Sequence, residues 1–361
     1  MRKLASVRKI SEIRPILKAD AIEVALIDGW ECVVKKSENF KVGDLVVYIE
    51  VDSIMPERPE FEFLRDRKFR VKTIRLRNQI SQGLVLPLSI LPDKKWKEGD
   101  DVTEVLGVTK YDPELEEENK LFEEKKKKYK NPIVKYLMRY EWLRKLLMGK
   151  PKDKGFPSWV VKTDETRIQN LTRMFEIERD LGTLFEGREK IDGQSATYTL
   201  KRIKGRKNKF EFIVCSRNLR LPKPDGSNYW KIAQKYNIEN VLKQLIMDYD
   251  YVTLQGEIYG QGIQGNKYKL NDIDIMVFNL IYPNRKVPTR EFEEVLSDYG
   301  ISTVPRVVAN YKLPDTIHDI VEFSKGKSTL LDRNREGIVF RNYEKDISFK
   351  VINPDFLLEE K

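Results

Sequence analysis

Histidine is nearly absent from this 361-residue sequence, in which His318 is the only one. A single imidazole cannot supply a histidine-dependent catalytic pair or a metal site built from several histidines. Any catalysis by this chain must therefore depend on lysine, arginine, aspartate and glutamate. His318 lies in "LPDTIHDIVEF", a segment that predicts a helix, and we interpret it as a structural residue.

Cysteine and long apolar runs are also scarce. The two cysteines, Cys32 and Cys215, lie in apolar, strand-like stretches and predict buried thiols in a reducing compartment. No run of about 18 apolar residues predicts a membrane-spanning helix. The N-terminal "MRKLASVRKISEIRP" lacks the apolar core of a secretory signal. We therefore expect an intracellular protein, either cytoplasmic or nuclear.

Charged residues, in contrast, are abundant. The 67 Lys and Arg residues outnumber the 57 Asp and Glu residues, which gives a formal net charge of +10. This excess agrees with a polyanionic partner, but it is mild for a chain of this length. The length predicts about two domains. The sequence leaves the oligomeric state open, and a monomer is the default expectation.

The first 110 residues predict a small β-barrel. "AIEVALIDGWECVVKK" alternates across an expected hairpin turn at Asp28–Gly29. "KVGDLVVYIEVDSIMP" reads as one near-continuous strand, and "FRVKTIRLRNQISQGLVLPLSILP" as two more. About five short strands in this length favour an OB-type barrel. Its alternating basic side chains are typical of a nucleic-acid track, but equally of a solvated outer face.

Residues 111–155 change character. "DPELEEENKLFEEKKKKYKN" is a dense charge run that predicts an exposed helix or a flexible connector. "PIVKYLMRYEWLRKLLMG" has apolar residues at helical spacing, and we expect its face to pack on its own protein rather than on a membrane or RNA. Residues 156–361 form a second unit of long strands with inserted helices at "YWKIAQKYNIENVLKQLIMDY", "TREFEEVLSDYG" and "TIHDIVEFSKG", which predicts an α+β domain.

A short motif in the second unit raises a chemical question. "EKIDGQSATYTL" places Lys190 two residues before Asp192, which is followed by Gly193. Alone, this pattern fits an ordinary surface ion pair better than a nucleophile. A lysine becomes nucleophilic when a neighbouring positive charge or a metal lowers its pKa.

Further charged residues in the same unit favour the nucleophile. Asp192, Glu257 and Glu336 are carboxylates that can hold the water shell of a divalent cation, the arrangement that magnesium prefers. Lys350 and Arg217 can neutralise a phosphate during in-line displacement.

The order of these blocks resembles the lysine nucleotidyltransferases, which comprise ATP-dependent DNA and RNA ligases and mRNA capping enzymes. The matching blocks are "EKIDGQS", "CSRN", "LQGEIYG", "DIMVFNL", "EGIVFR" and "SFKVIN". Within this superfamily the chain resembles the RNA ligase 5 family, since "GWECVVKK", "FKVGDLVVYIEVDSIMP", "ISQGLVLPLSILP" and "VKTDETRIQN" also match. The resemblance covers about residues 1–110 and 156–356.

The resemblance implies an α+β fold class, with an N-terminal OB-type β-barrel followed by an antiparallel adenylyltransferase (ATP-grasp-like ligase) domain. It implies an ATP-dependent RNA ligase that joins 3′-hydroxyl and 5′-phosphate ends, as in nicked or duplex RNA. Lys190 would attack the α-phosphate of ATP to form lysyl-AMP, and the AMP would pass to an RNA 5′-phosphate before the strand is sealed. Mg²⁺ or Mn²⁺ would be the cofactor, held by Asp192, Glu257 and Glu336.

The same resemblance assigns the remaining site residues. Phe278 would stack on adenine with Ile338 facing it, and Glu189 would contact the adenine edge. Lys350 would contact the α-phosphate, and Arg217 and Asn218 the nucleotide or the RNA end. Weaker candidates for the leaving phosphates or the RNA are Lys162, Arg167 and Gln169.

Two features bear on the alternatives. Several relatives have two lysines two positions apart in the last block, where this chain has Ser348 and Lys350, so the role of the first lysine is in question here. DNA ligases and capping enzymes carry their OB domain after the last block, whereas only 11 residues follow Lys350 here. This favours an RNA ligase over a capping guanylyltransferase or a DNA ligase. A non-catalytic RNA-binding protein is a further alternative.

Overall fold

A computed structural model of the chain describes residues 3–111, 155–203, 205, 209–221 and 226–359. The connector predicted for residues 111–155 falls almost entirely outside the described residues, as does its helix. The described chain forms two units, a β-rich N-terminal unit and a larger α+β unit. Within these ranges, no helix combines the length and apolar character needed to cross a bilayer.

The N-terminal unit is built from short antiparallel strands. Its described strands are β1 (Ala5–Lys9), β2 (Glu12–Pro15), β3 (Ile22–Ile27), β4 (Trp30–Lys35), β5 (Leu45–Ile49), β6 (Ser53–Ile54), β7 (Arg70–Val71), β8 (Thr73–Leu76), β9 (Gln79–Gln82), β10 (Leu84–Pro87) and β11 (Thr109–Lys110). The first helix, α1, spans Thr103–Leu106. Strands pair in the orders β1-β5-β10, β2-β3-β4 and β11-β6-β7, with β8-β9 as a separate hairpin.

Turn chemistry explains both the success and the errors of the strand prediction here. Asp28 and Gly29 have φ values of 50° and 79°, the paired positive values that a tight hairpin between β3 and β4 needs. The near-continuous strand expected from residue 41 to 56 was wrong, because Asp52 turns the chain with φ 66° between β5 and β6. Two strands were expected after Phe69, but the structure has four, β7 to β10. Arg77 and Asn78 also have positive φ and form the turn between β8 and β9.

The second unit contains two sheets. Its described strands are β12 (Leu184–Lys190), β13 (Gln194–Arg202), β14 (Phe210–Cys215), β15 (Tyr251–Gly260), β16 (Ile273–Tyr282), β17 (Arg285–Val287), β18 (Ser302–Thr303), β19 (Arg306–Lys312), β20 (Gly337–Asn342) and β21 (Ile347–Ile352). One sheet has the antiparallel order β19-β12-β20-β21. The other has the antiparallel order β14-β13-β15-β16-β17, and β18 joins β16 in parallel.

This unit also contains helices, most of which pack on the outer faces of the two sheets. They are α2 (Thr172–Asp180), α3 (Asn228–Lys235), α4 (Ile238–Leu245), α5 (Thr289–Ser297), α6 (Ile317–Ser324) and α7 (Pro354–Glu359). The single helix predicted from Tyr229 to Tyr249 is two, because Asn237 has φ 46° and separates α3 from α4. Apolar residues of α3, α4 and α5 pack on the six-stranded sheet, and Phe175 of α2 and Ile320 of α6 pack beneath the four-stranded sheet.

Specific contacts join the two units. Asn170 Nδ2 donates a hydrogen bond of 2.7 Å to Glu50 Oε1, and Trp30 Nε1 donates one of 3.3 Å to Asn170 Oδ1. Arg75 forms an ion pair of 3.3 Å with Asp355 of α7. The antiparallel α+β architecture behind a small N-terminal barrel is confirmed, and the surfaces that meet at this boundary enclose the candidate site.

Candidate active site

A cavity of about 310 Å³ lies between the two sheets of the second unit and opens toward the N-terminal unit. Most of the residues singled out from the sequence line it, namely Glu189, Lys190, Asp192, Arg217, Glu257, Phe278, Glu336, Lys350 and Arg167. Strand ends and strand faces from both sheets supply these side chains. Residues distant in sequence therefore converge on one cavity.

The Lys-x-Asp-Gly motif occupies the turn between the two sheets. Lys190 is the last residue of β12, and β13 begins at Gln194 in the other sheet. A Cβ at Gly193 would lie 2.2 Å from the Ile258 carbonyl oxygen and 3.0 Å from the Glu257 side chain. The glycine is therefore required for the turn to pass close to β15, which carries Glu257. The same close approach holds Lys190 and Asp192 beside that carboxylate.

Carboxylates surround the amine of Lys190. Its Nζ lies 2.7 Å from Glu336 Oε2, and the register aligns Lys190 with Gly337 on the neighbouring strand β20. Burial lowers the pKa of Lys190, but the negative charges of Glu336, Glu257 and Asp192 outweigh it and leave the pKa raised. The amine is therefore held in its protonated form by the three carboxylates.

The three carboxylates have different partners. Glu257 Oε2 accepts a hydrogen bond of 2.9 Å from Ser195 Oγ, and burial raises the pKa of Glu257 to about 7. Burial also raises the pKa of Glu336. Asp192 Oδ2 lies 2.6 Å from Lys267 Nζ. Among the described residues, no three His, Cys, Asp or Glu side chains converge closely enough to ligate one ion together.

Lys350, on β21, has the opposite environment to Lys190. Burial, together with the positive charges of Lys190 and Arg167, lowers the pKa of Lys350 to about 7. Its backbone N–H donates a hydrogen bond of 2.9 Å to the Thr166 carbonyl, which fixes segment 161–167 along the strand. Arg167 on that segment is buried, lies over the Trp30 ring at 5.5 Å and is 3.8 Å from Asp52.

The carboxylate of Glu189 is held at one oxygen and left open at the other. Oε2 accepts hydrogen bonds of 2.8 Å from both the backbone N–H and the hydroxyl of Thr329. Oε1 is buried and has no hydrogen-bond partner. A buried carboxylate oxygen without a donor is costly, so this atom is suited to accept from a bound ligand.

The structure corrects one residue assignment. Ile338 is fully buried in the cluster beneath the four-stranded sheet with Phe340 and Phe349, on the face away from the cavity. Side chains alternate along a strand, so the next residue, Val339, faces the cavity, which it lines together with Phe278. The apolar residue opposite Phe278 is therefore Val339 and not Ile338.

Three of the residues expected to meet phosphates or RNA do not line the cavity, namely Gln169, Lys162 and Asn218. Gln169 is buried, and Lys162 Nζ lies 3.3 Å from Asn218 Oδ1 at the surface. Arg217 does line the cavity, where its guanidinium forms an ion pair with Asp164. Asp164 also lies 3.4 Å from Lys110, so it connects cations from both units.

Sequence reasoning missed the contribution of the N-terminal unit to this cavity. The residues involved are Asp52, Arg70, Lys110 and Tyr111. The Arg70 guanidinium lies 3.6 Å from the Tyr111 ring centre, and Arg70 also forms an ion pair of 2.5 Å with Asp52. No local pattern reveals this role, because it depends on how the two units meet.

Comparisons with known proteins agree with this arrangement. Residues 184–352 match the family model described as RNA ligase, and residues 4–88 match one described as an OB-fold domain. No curated protein sequence matches the chain.

Among solved structures, the chain is similar to a Naegleria gruberi RNA ligase variant with AMP and Mn, at 30% identity, a TM-score of 0.77 and full coverage of both chains. It is also similar to that ligase with PPi, at 31% identity, a TM-score of 0.77 and coverage of 99% of this chain and 98% of the other. A variant with ATP and Mn gives 30% identity, a TM-score of 0.76 and coverage of 99% and 100%. The chain therefore belongs to the RNA ligase family, the family that its sequence motifs predict.

Proposed function

We propose that this enzyme is an ATP-dependent RNA ligase that seals 3′-hydroxyl and 5′-phosphate ends in nicked duplex RNA through a lysyl-AMP intermediate. The single observation that carries the proposal is the position of Lys190. Its amine lies in a cavity lined by the three carboxylates that raise its pKa and by the cations Lys350 and Arg167.

Lys190 is the nucleophile of the first step. Its unprotonated Nζ attacks the α-phosphorus of ATP, forming a P–N bond as the bond to the pyrophosphate oxygen breaks. The proton must leave first, and the pKa of Lys190 is raised in the ligand-free site by the carboxylates that outweigh burial. The site therefore needs added positive charge near these carboxylates before the amine can react.

The donor set fits a hydrated divalent cation. Asp192, Glu257 and Glu336 all line the cavity, and the raised pKa values of Glu257 and Glu336 indicate buried negative charge that nearby cations do not fully balance. Since no described trio converges for direct ligation, these residues would hold the cation through its waters. A bound Mg²⁺ or Mn²⁺ supplies positive charge that lowers the pKa of Lys190 and offsets charge on the α-phosphate.

The basic residues that line the cavity can bind the phosphates of ATP. Lys350, Arg167 and Arg217 line it from the ligase domain, and Arg70 and Lys110 from the OB-fold domain. These groups stabilise negative charge as it moves onto the leaving pyrophosphate. Lys350 is the group we assign to the α-phosphate, because it lies close enough to Lys190 for the charge of Lys190 to lower its pKa.

The opposite end suits the base. Phe278 and Val339 provide apolar contact, and the unpartnered Oε1 of Glu189 is an acceptor for the exocyclic amino group of adenine. Guanine presents a carbonyl oxygen at the corresponding position, which this acceptor repels. The arrangement therefore favours ATP over GTP.

The later steps reuse the same atoms. An oxygen of the RNA 5′-phosphate attacks the α-phosphorus of lysyl-AMP, and the P–N bond breaks to release Lys190. The RNA 3′-hydroxyl then attacks the adenylated 5′-phosphate, and AMP leaves as the phosphodiester bond forms. RNA duplexes are recognised through backbone, shape and 2′-hydroxyls, for which the basic strands of the OB-fold domain are suited.

The solved relatives support these roles. The Naegleria enzyme has been solved with ATP, AMP, PPi and Mn. The lysine and aspartate replaced in two of the variants stand two positions apart, like Lys190 and Asp192. The glutamate and lysine replaced in two others are separated by the same number of residues as Glu336 and Lys350.

Sealing assays test the proposal. The purified enzyme is given ATP and Mg²⁺ or Mn²⁺ with single-stranded RNA, nicked duplex RNA, nicked DNA and mixed nicks. We expect the fastest sealing on the nick with an RNA 3′-hydroxyl strand, and no sealing by Lys190→Ala. Equal or better sealing of an all-DNA nick would contradict the RNA assignment.

Labelled nucleotides separate the remaining alternatives. A capping guanylyltransferase would transfer GMP from GTP to the protein, so exclusive labelling by GTP would contradict the ligase. A non-catalytic RNA-binding protein would bind the nick without acquiring label from either nucleotide. We expect label from ATP alone.

A further inference from the structure

Phe278 occupies an irregular position in its strand. The pairing of β15 with β16 shifts between Gln255, which pairs with Asn279, and Gly256, which pairs with Val277. Phe278 is therefore the extra residue of a β-bulge and has no pairing partner on β15. Bulges re-aim side chains next to active sites, but they leave a residue outside the regular hydrogen-bond ladder.

Arg341 reaches this bulged residue from the other sheet. It lies on β20, and its Nη1 donates a hydrogen bond of 3.3 Å to the Phe278 carbonyl. Its guanidinium carbon also lies 5.9 Å from the Phe278 ring centre. The Arg341 side chain is only 5% exposed and lines the same cavity. It thus connects the two sheets at the base end of the site.

A carboxylate fixes Arg341 in turn. Glu165 Oε1 accepts from Arg341 Nη2 at 3.2 Å, and Glu165 Oε2 accepts from Ser348 Oγ at 2.6 Å. Arg341 and Ser348 face each other in the register of β20 and β21. Each oxygen of Glu165 therefore has one donor, and the serine hydroxyl fills the second without adding charge.

The local charge balance explains why a neutral donor suits position 348. Burial, followed by the positive charge of Arg341, lowers the pKa of Lys286, whereas Glu165 raises it. Two cations, Arg341 and Lys286, thus already act on one carboxylate in a buried environment. A lysine at position 348 would add a third cation and compete with Arg341 for Glu165.

We propose that Arg341 is a positioning residue that secures the bulged Phe278 as the platform for the adenine base, and that Glu165 and Ser348 hold Arg341 in place. Ser348 is then a functional part of this network, because its hydroxyl holds the second oxygen of Glu165. The inference rests on the proposed function, since it assumes that Phe278 receives the base of ATP.

Single-turnover formation of lysyl-AMP by the full-length enzyme at varied ATP tests this role, with the half-saturating ATP concentration and the limiting rate taken as KM and kcat of this step. Arg341→Met is expected to raise the KM for ATP about tenfold while kcat changes less than about threefold, because it loosens base binding without touching the reacting atoms. Arg341→Lys keeps the charge but cannot make both hydrogen bonds, and is expected to restore little of the loss. Arg306→Met, an exposed arginine on β19 of the same sheet, is the control.

A double-mutant cycle distinguishes positioning from a general structural effect. If Arg341 acts through Phe278, Arg341→Met has little further effect on KM in a Phe278→Ala background. Additive effects of the two substitutions on KM would overturn the inference. A fall in kcat as large as the rise in KM, together with a lowered melting temperature, would overturn it as well. These outcomes leave the proposed function intact as long as Lys190→Ala still abolishes lysyl-AMP.

The substitution Ser348→Lys provides an independent test. Placing a lysine at this position is expected to raise the KM for ATP about threefold or more by displacing Arg341 from Glu165. Ser302→Lys on the exposed strand β18 controls for added charge. A lower KM for ATP in Ser348→Lys would overturn the inference, because the new lysine would then act as a phosphate ligand.

Discussion

Two lysines in the same cavity have opposite environments. Lys190 lies among Glu336, Glu257 and Asp192, which raise its pKa despite burial. For Lys350, burial and the positive charges of Lys190 and Arg167 lower the pKa to about 7. In the ligand-free site, Lys350 is thus the amine that more readily loses its proton.

The pKa values alone would therefore favour Lys350 as the nucleophile, in place of the Lys190 that we propose. We propose that the carboxylates around Lys190 hold a divalent cation, which would lower the pKa of the amine. For Lys350, the carboxylates Asp164 and Glu336 do not offset burial and the neighbouring cations, and a bound phosphate would raise its pKa again. Each lysine is complementary to a ligand that enters the cavity.

The largest expected effects on lysyl-AMP formation come from replacing Lys190 or Lys350 by alanine. Lys190→Ala removes the atom that forms the P–N bond, so lysyl-AMP formation falls below detection. Lys350→Ala keeps the nucleophile but loses charge stabilisation at the α-phosphate, so the rate falls by about a hundredfold, in the range of one lost electrostatic contact. Acid-quenched gels with α-labelled ATP measure both. A larger loss in Lys350→Ala than in Lys190→Ala would reverse the assignment.

The carboxylate side is tested next. Glu257→Gln and Glu336→Gln keep the side-chain size but remove charge, and each is expected to slow lysyl-AMP formation by about tenfold to a hundredfold. Because negative charge is lost, both variants also bind Mn²⁺ more weakly, which electron paramagnetic resonance of free Mn²⁺ measures. Unchanged Mn²⁺ affinity in both variants would contradict the cation site.

The OB-fold domain offers a smaller effect. Arg70 and Lys110 line the cavity, whereas Lys72 of the same domain is exposed and does not. Arg70→Met and Lys110→Met are expected to raise the KM for ATP several-fold, about what loss of one partly exposed charge contact costs. Lys72→Met serves as the matched control for lost charge. Equal effects in all three variants would show that only overall charge matters.

The smallest expected effect is on folding stability, whose pH dependence through Lys350 has a defined direction. The pKa of Lys350 falls from 10.5 to about 7 on folding, so between these values the unfolded chain binds the extra proton. Stability therefore decreases as pH falls from about 10 to 7. Lys350→Met removes this penalty and should stabilise the ligand-free protein by about 1 kcal/mol near pH 7.

Urea denaturation across this pH range measures the difference. The gain should shrink as pH rises above 7 and vanish above about 10.5, because only there is the lysine neutral in both states. A gain that is constant with pH would show that packing, not charge, is responsible.

Local chemistry made much of the fold predictable. The residue types of Asp28 and Gly29 predicted the hairpin turn, and the spacing of apolar residues predicted α5 and α6. The errors arose where single residues with positive φ, Asp52 and Asn237, turned the chain without a strong sequence signal. Such turns are set by tertiary packing, which local sequence patterns do not record.

The sequence motifs identified most of the candidate site residues, but they did not predict the contacts that bring these residues together. Lys190, Glu257, Glu336 and Lys350 were found from short blocks in a fixed order, and all line one cavity. Ile338 was misassigned by one position, since a one-residue error on a strand moves a side chain to the opposite face. The roles of Arg70, Arg341 and Glu165 depend on contacts between separate sheets or domains, which no local motif contains.

The most direct test of the account is to locate the adenylate. The enzyme is incubated with ATP and Mn²⁺ without RNA, digested at neutral to alkaline pH to preserve the P–N bond, and its peptides are sequenced by mass spectrometry. We expect AMP on Lys190 and on no other lysine. AMP on Lys350, or an enzyme that seals RNA while carrying no adenylate, would contradict it.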